Sequence, residues 1–363
     1  NLDHMHELEL FLISLRLAAG STSPQLWRFT PIDYSAANKY CSTNYGREKY
    51  FRHDHAVEPI YNARYGVLDD VCGTTRSASL ESCGFSLHLA PSKVTDWSSL
   101  HQISGIYLDE IRQLIKKEFK GEAIEEVIFW NPMLRGEGWS ADGDHVSSIK
   151  TAQSGIASMA HLDTDLLVYD GSAEPLARLI ERNRIEALIE GQPAVGATLV
   201  GRGRAIADAI ENGKRFAIVN AWRNVDHTAP IGRSPLAVLA TRYPANSSIV
   251  PLSSPCDASS RWYAYPSMDA NEVLLFSQYD RRADRPADTW HCALPTIADV
   301  GAPPRRSFEL RCFVLFRQAV DHSHDRFCGD AMPRLPRLTQ RARAPWLSAL
   351  RNTYSRLRRT LML

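Results

Sequence analysis

Met159-Ala160-His161-Leu162-Asp163-Thr164 sets a histidine and a carboxylate two residues apart. Side chains of an extended backbone alternate between faces, so His161 and Asp163 are expected on one face and Leu162 in the opposite layer. An imidazole beside a carboxylate makes two-thirds of a 2-His-1-carboxylate facial triad, the arrangement that holds Fe(II) and leaves coordination positions open. The tripeptide alone is common, so the rest of the chain decides its meaning.

A third ligand is expected far downstream, on a strand that folds back beside the first pair. His291, in Asp288-Thr289-Trp290-His291-Cys292, is the candidate; with 12 histidines in the chain, its weight comes from the residues C-terminal to it. Pro303-Pro304-Arg305-Arg306-Ser307 supplies Arg-x-Ser. A keto-acid co-substrate carries a distal carboxylate that a planar guanidinium grips with two hydrogen bonds, helped by a neighbouring hydroxyl. In an alternating strand Arg305 and Ser307 share a face, and Glu309 and Arg311 continue it.

Around these residues the patterning is β-rich. Glu126–Arg135, Phe216–Trp222, Glu272–Phe276 and Ser307–Phe316 read as strands. Val57–Leu89 reads as short extended stretches, one of them holding Ser79–Phe85. Ile106, Ile111, Leu114, Ile115 and Phe119 recur at helical spacing, and Leu176–Ile189 reads as a second amphipathic helix stopped by Gly191. Residues 1–55 are poorly patterned and read as a short helix followed by loops. Val200–Ile206 imitates a dinucleotide fingerprint, but Ile206 stands where the third glycine is needed, which leaves a turn before a helix. His53-Asp54-His55 and His322-Ser323-His324-Asp325 resemble metal-ligand clusters and read as solvated loops. Short strands with helices before and between them predict a closed or sandwiched sheet flanked by helices, in one domain.

Composition narrows the function. The chain has 363 residues, 44% of them hydrophobic, and a net charge of +1, which disfavours nucleic-acid binding by the whole surface. The charge is uneven: Ala331–Leu363 holds eight arginines and no Asp, Glu or Lys. The seven cysteines are scattered with no C-x-x-C pair, so a zinc knuckle or disulfide framework is not expected and a reducing compartment is. Leu10–Leu17 is short, flanked by acids and interrupted by Arg16, unlike a signal peptide. A cytoplasmic location is the expectation. Trp346, Leu347, Leu350, Tyr354, Leu357 and Leu361 outline a basic amphipathic helix that could meet a protein partner or an anionic surface.

The order of these pieces resembles the gibberellin desaturase and AsaB-type hydroxylase/desaturase family, which also takes in a component of cephamycin 7α-methoxylation. The matching residues are Asn62-Ala63-Arg64, Ser79-Leu80-Glu81 with Gly84-Phe85, the apolar strand ending in Arg135, and His161-Leu162-Asp163. They continue through Val219-Asn220-Ala221-Trp222-Arg223, Pro235-Leu236-Ala237, Arg261-Trp262-Tyr263, Glu272–Asp280, His291, and Pro304-Arg305-x-Ser307-x-Glu309-x-Arg311.

The resemblance implies a non-haem Fe(II)/2-oxoglutarate oxygenase that hydroxylates or desaturates a small molecule of secondary metabolism with O2. It implies an α+β, mainly β fold: a double-stranded β-helix of the cupin or jelly-roll kind over residues 57–320, between an N-terminal extension (1–56) and an Arg-rich C-terminal extension (321–363). By the same resemblance His161, Asp163 and His291 hold iron, and Arg305 and Ser307 hold 2-oxoglutarate. Arg135, Asn220, Trp222, Arg223 and Tyr263 are substrate-pocket candidates. The chain departs from the family at Ala240, where an acid is usual, and at Arg306, which replaces a Glu and puts a competing guanidinium in the co-substrate motif. The rival reading is an inactive or partner-dependent binding component of a biosynthetic complex.

Overall fold

Arg306–Ala319 (β13), a long strand near the C-terminal end of the patterned region, is the backbone of the larger sheet. It pairs antiparallel on one side with Ile124–Gly136 (β6) and on the other with Lys214–Asn224 (β8). The computed structural model describes residues 26–35, 55–69, 74–138, 152–163, 214–240, 261–280 and 289–319. The expected Leu176–Ile189 helix, the Val200–Ile206 run, His53-Asp54, His322–Asp325 and the basic C-terminal segment lie outside them.

Six strands make the larger sheet, in the order β5-β11-β8-β13-β6-β7, where β5 is Phe85–Leu89, β7 Ala152–Ser154 and β11 Glu272–Asp280. Five make the smaller, β1-β2-β10-β9-β12: Leu26–Asp33, His55–Asn62, Trp262–Ala264, Leu236–Leu239 and His291–Ala293. Val67–Asp69 (β3) and Thr74–Arg76 (β4) form a separate pair. The strands expected at Glu126–Arg135, Phe216–Trp222, Glu272–Phe276 and Ser307–Phe316 all form, each somewhat longer than its apolar run.

Period-two alternation sorts the small sheet into two faces. Tyr263, Tyr265, Leu236 and Val238 pack inward on Trp222, Leu274 and Phe276 of the large sheet. Trp262, Ala264, Ala237, Leu239 and Cys292 face the other way with Ile32, Tyr34 and Ile60. The two sheets are therefore stacked, and the large sheet carries a helix on its outer face. That helix, Leu108–Glu118 (α3), follows Leu100–Gln102 (α2) through a wide helical turn at Ile103–Tyr107. Leu108, Ile111, Leu114 and Ile115 are its buried stripe, and each contributes about 2 kcal/mol of apolar burial. Asp109 and Glu110 in its first turn and Lys116 and Lys117 in its last complement the backbone dipole.

Two expectations give way. Residues 26–33, read as loop, form β1 and pair along β2, whose span crosses the boundary set at residue 56. Both strands carry proline, which hid them from a propensity reading. Leu80–Cys83 (α1), read as extended, is a helical turn: the Ser79 hydroxyl accepts from the Ser82 N–H at 3.0 Å, and Gly84 ends the turn in the left-handed conformation. Cys83, Cys292 and Cys312 are buried, and among the described residues no helix is long and apolar enough to cross a membrane.

Candidate metal centre

His291 opens β12 and pairs with Val238, an inward residue, so its ring enters the space between the sheets. There it lies 4.7 Å from the Phe276 ring. His161 pairs with His291 across an isolated antiparallel bridge, each N–H 3.1 Å from the other's carbonyl oxygen. Residues paired this way project on the same side, which brings the ring centroids to 4.3 Å. Leu162 packs into the opposite layer.

The ring tautomers are set by their partners. His161 Nδ1 lies 2.8 Å from the Met159 carbonyl oxygen and His291 Nδ1 3.3 Å from that of Thr289. A carbonyl only accepts, so each Nδ1 carries a proton, and in the neutral ring that tautomer leaves Nε2 its lone pair. Both Nε2 atoms face the Asp163 carboxylate, at 3.7 Å for His161 and 3.5 Å for His291. The three ligand atoms lie within 4.8 Å of one another. Metal–ligand bonds of about 2 Å would draw them together by an ångström or so. An unprotonated nitrogen on each imidazole plus a carboxylate suits Fe(II), and a carbonyl behind each ring is the usual orienting partner of a metal-bound histidine.

The large sheet holds the carboxylate. Asn220 of β8 and Arg311 of β13 are Cα partners, and both donate to Asp163, to Oδ2 and Oδ1 respectively. Burial alone would raise its pKa; Arg311, then His291, His161 and Asn220, reverse this and hold it well below the usual carboxylate range. Burial first, then His161, pushes His291 down to about 4, so its imidazole is neutral near pH 7. The Asp163 N–H donates to Gln278 Oε1 at 2.9 Å.

The expected face of β13 is present. Arg305, Ser307 and Glu309 are buried on it. Arg305 lies with its guanidinium carbon 5.5 Å from the Trp222 ring centre and donates to the Ser234 carbonyl at 2.6 Å. Burial, then Arg135, pushes its pKa down to about 9, the mark of a cation short of counter-charge. Its Nε has no hydrogen-bond partner among the described residues, nor has Ser307 Oγ or Glu309 Oε1, which lies 3.6 Å from the Arg311 guanidinium. Each such atom costs about 1–3 kcal/mol when left unpaired; Arg305 Nε and Ser307 Oγ are the donors among them, and they suit an anionic guest. A dicarboxylate keto acid fits that donor set. Ser234, whose carbonyl meets Arg305, adopts φ 46°, a backbone strain that clusters at ligand sites.

The substrate candidates separate. Arg135 binds Glu309 Oε2 at 2.7 Å and the Gly155 carbonyl at 3.1 Å, within the site. Asn220 serves Asp163, and Trp222 lies against Arg305. Arg223 projects to the opposite face of β8, where its guanidinium lies over the Trp97 and Tyr107 rings and donates to the Ala270 carbonyl. Strand alternation sends neighbours 222 and 223 to opposite layers, so Arg223 is outside this site. Tyr263 is wedged among Tyr61, Phe85 and Trp222, its hydroxyl accepting from the Leu68 N–H at 3.1 Å, a packing position. Arg306 is exposed and faces Asp226, away from Arg305, so it does not compete there. Ala240 is buried among apolar neighbours. Gln278 and Ser234 went unnoticed in the sequence; a buried amide inside the apolar run Glu272–Asp280 was the available signal.

Residues 198–315 match the family described as oxidoreductase/YMDC permease-like domain. The hydroxylase/desaturase efuI of Hormonema carpetanum is 27% identical over 70% of this chain and 85% of its own. The alpha-ketoglutarate-dependent dioxygenase phiK of Fungal sp. (strain ATCC 74256) is 23% identical over 67% of this chain and 81% of its own. Among solved structures, the iron and alpha-ketoglutarate-dependent endoperoxidase NvfI matches at 16% identity with a TM-score of 0.47, over 80% of this chain and 99% of its own.

Proposed function

We propose that this chain is a non-haem Fe(II)/2-oxoglutarate-dependent oxygenase that hydroxylates or desaturates a small-molecule biosynthetic intermediate. The carrying observation is one inter-sheet site in which two Nε2 atoms and a carboxylate converge beside a buried guanidinium with no ion-pair partner among the described residues. It is an oxidoreductase, in keeping with the hydroxylase/desaturase and dioxygenase relatives. The stacked sheets fit a double-stranded β-helix, and the motif order fits the gibberellin desaturase/AsaB-type group.

In this reading His161, Asp163 and His291 hold the iron, and Arg305 with Ser307 holds the distal carboxylate of 2-oxoglutarate. The bound pair supplies oxidative C–H chemistry with O2. The chain supplies the geometry. The Met159 and Thr289 carbonyls fix the imidazole tautomers, and Arg311 and Asn220 orient the carboxylate. Trp222 and Phe276 wall the site against water. Arg135, held by Glu309, offers a charged side chain to a substrate group.

The test is anaerobic titration of 2-oxoglutarate into the Fe(II)-loaded protein, following the weak visible charge-transfer band of the chelate. The expected result is a band in the wild type, lost in His161→Ala and weakened in Arg305→Ala. A folded wild type that binds Fe(II) and 2-oxoglutarate without any band overturns the assignment and favours a non-catalytic binding component.

A further inference from the structure

The chain carries a buried amide that the metal triad does not account for. Gln278 sits in β11 where the register with β8 slips, Ser277 pairing with Val219 and Tyr279 with Ile218. Such a bulge inserts a residue and re-aims a side chain, and bulges concentrate beside functional sites. Gln278 is completely buried.

Its amide makes two kinds of bond. Oε1 accepts from the Asp163 N–H at 2.9 Å, and Nε2 donates to the Thr289 carbonyl at 2.9 Å and to that of Ser277 at 3.5 Å. The orientation is forced, because an N–H only donates and a carbonyl only accepts. The Thr289 carbonyl is the same oxygen that faces His291 Nδ1. Thr289 is itself fastened to the large sheet: its N–H donates to the Ser277 carbonyl at 2.9 Å and its hydroxyl to the Gly84 carbonyl at 3.1 Å. Two residues later the chain enters the small sheet at His291.

We infer that Gln278 is a positioning residue for the metal centre, tying the Asp163 backbone and the His291 ring to one point on β11. It does not touch the metal or the reactants. It fixes the spacing of two ligands that come from chain segments far apart in sequence, and it does so from the opposite sheet. A glutamine amide offers an acceptor and a donor at once without titrating. The inference rests on the metal-centre reading proposed above.

The test uses Co(II) as the metal probe, with the full chain, Gln278→Met, Gln278→Glu and His161→Ala. Met keeps the volume and removes both bonds; Glu keeps the acceptor for Asp163 and, once ionised, loses the donor to Thr289. The readouts are Co(II) affinity by calorimetry, the Co(II) visible d–d spectrum, and thermal unfolding of the metal-free protein. Losing an orienting partner of a metal ligand typically costs about 10–100-fold in affinity. The expected result is a loss of that order with an altered d–d spectrum in Gln278→Met, an intermediate loss in Gln278→Glu, and no binding in His161→Ala. Wild-type affinity and spectrum in a folded Gln278→Met overturn the role of Gln278 while the metal centre stands. If Gln278→Met does not fold, Gln278→Glu decides, and wild-type affinity there at a pH that ionises its carboxyl overturns it. No Co(II) binding in the wild type removes the metal centre and this inference together.

Discussion

His161 and His291 exchange two backbone hydrogen bonds of 3.1 Å, and this single bridge turns two remote histidines into neighbours with rings 4.3 Å apart. The link is made by main chain alone, so side-chain changes can be separated from changes in scaffold. His291→Ala keeps the bridge and removes one Nε2. Metal affinity is expected to fall by more than the roughly 100-fold that an outer partner is worth, with an unchanged far-ultraviolet spectrum. Calorimetric titration of Co(II) checks it; undiminished binding sinks the ligand assignment.

Arg305→Lys keeps a positive charge but loses the planar fork. Each hydrogen bond to a charged group is worth about 1.5–3 kcal/mol, so 2-oxoglutarate should bind about 10–100-fold more weakly to the metal-loaded protein. Binding is read by calorimetry without O2. An unchanged dissociation constant places the distal carboxylate elsewhere.

Arg311 lies between Asp163 and Glu309, donating to the first and 3.6 Å from Oε1 of the second. Arg311→Met strips a buried carboxylate of its cation, a change that costs about 3–5 kcal/mol. A divalent metal restores positive charge at the same carboxylate, so urea unfolding should show the loss shrinking once Co(II) is added. An equal loss with and without metal is the contrary result.

His291 is also a pH sensor for the metal-free fold. Its folded pKa, pushed down to about 4 by burial and then His161, lies below the ordinary value of 6.5. The unfolded chain therefore takes up the proton first. Stability from this group is complete above pH 6.5 and is lost as pH falls from there to about 4. Unfolding at a series of pH values should show that slope, and His291→Asn should flatten it. Equal slopes refute the assignment.

Arg223 tests the separation of faces. Its guanidinium fills the space between Trp97, Tyr107 and the Ala270 carbonyl in the helix-side core. Arg223→Ala should destabilise the fold by about 2–4 kcal/mol while leaving 2-oxoglutarate affinity of the folded fraction unchanged. A selective loss of affinity returns Arg223 to the site.

Local features were legible in the amino-acid sequence alone. Alternation along β13 put Arg305, Ser307, Glu309 and Arg311 on one face, because a strand has a period of two whatever it packs against. Helical spacing from Ile106 to Phe119 marked the helix that forms at Leu108–Glu118, and the apolar runs marked four long strands. Tertiary structure decided everything that depends on which strands meet. Asn220 became the partner of Asp163 because β8 lies beside β13, and Arg223, three residues on, was turned into the other core. Residues 26–33 became a strand by pairing with β2, since strand formation draws on cross-strand partners more than on intrinsic preference. Gln278 reached two ligand segments from the facing sheet, a contact fixed by sheet stacking and a bulge, neither of which leaves a period in the sequence.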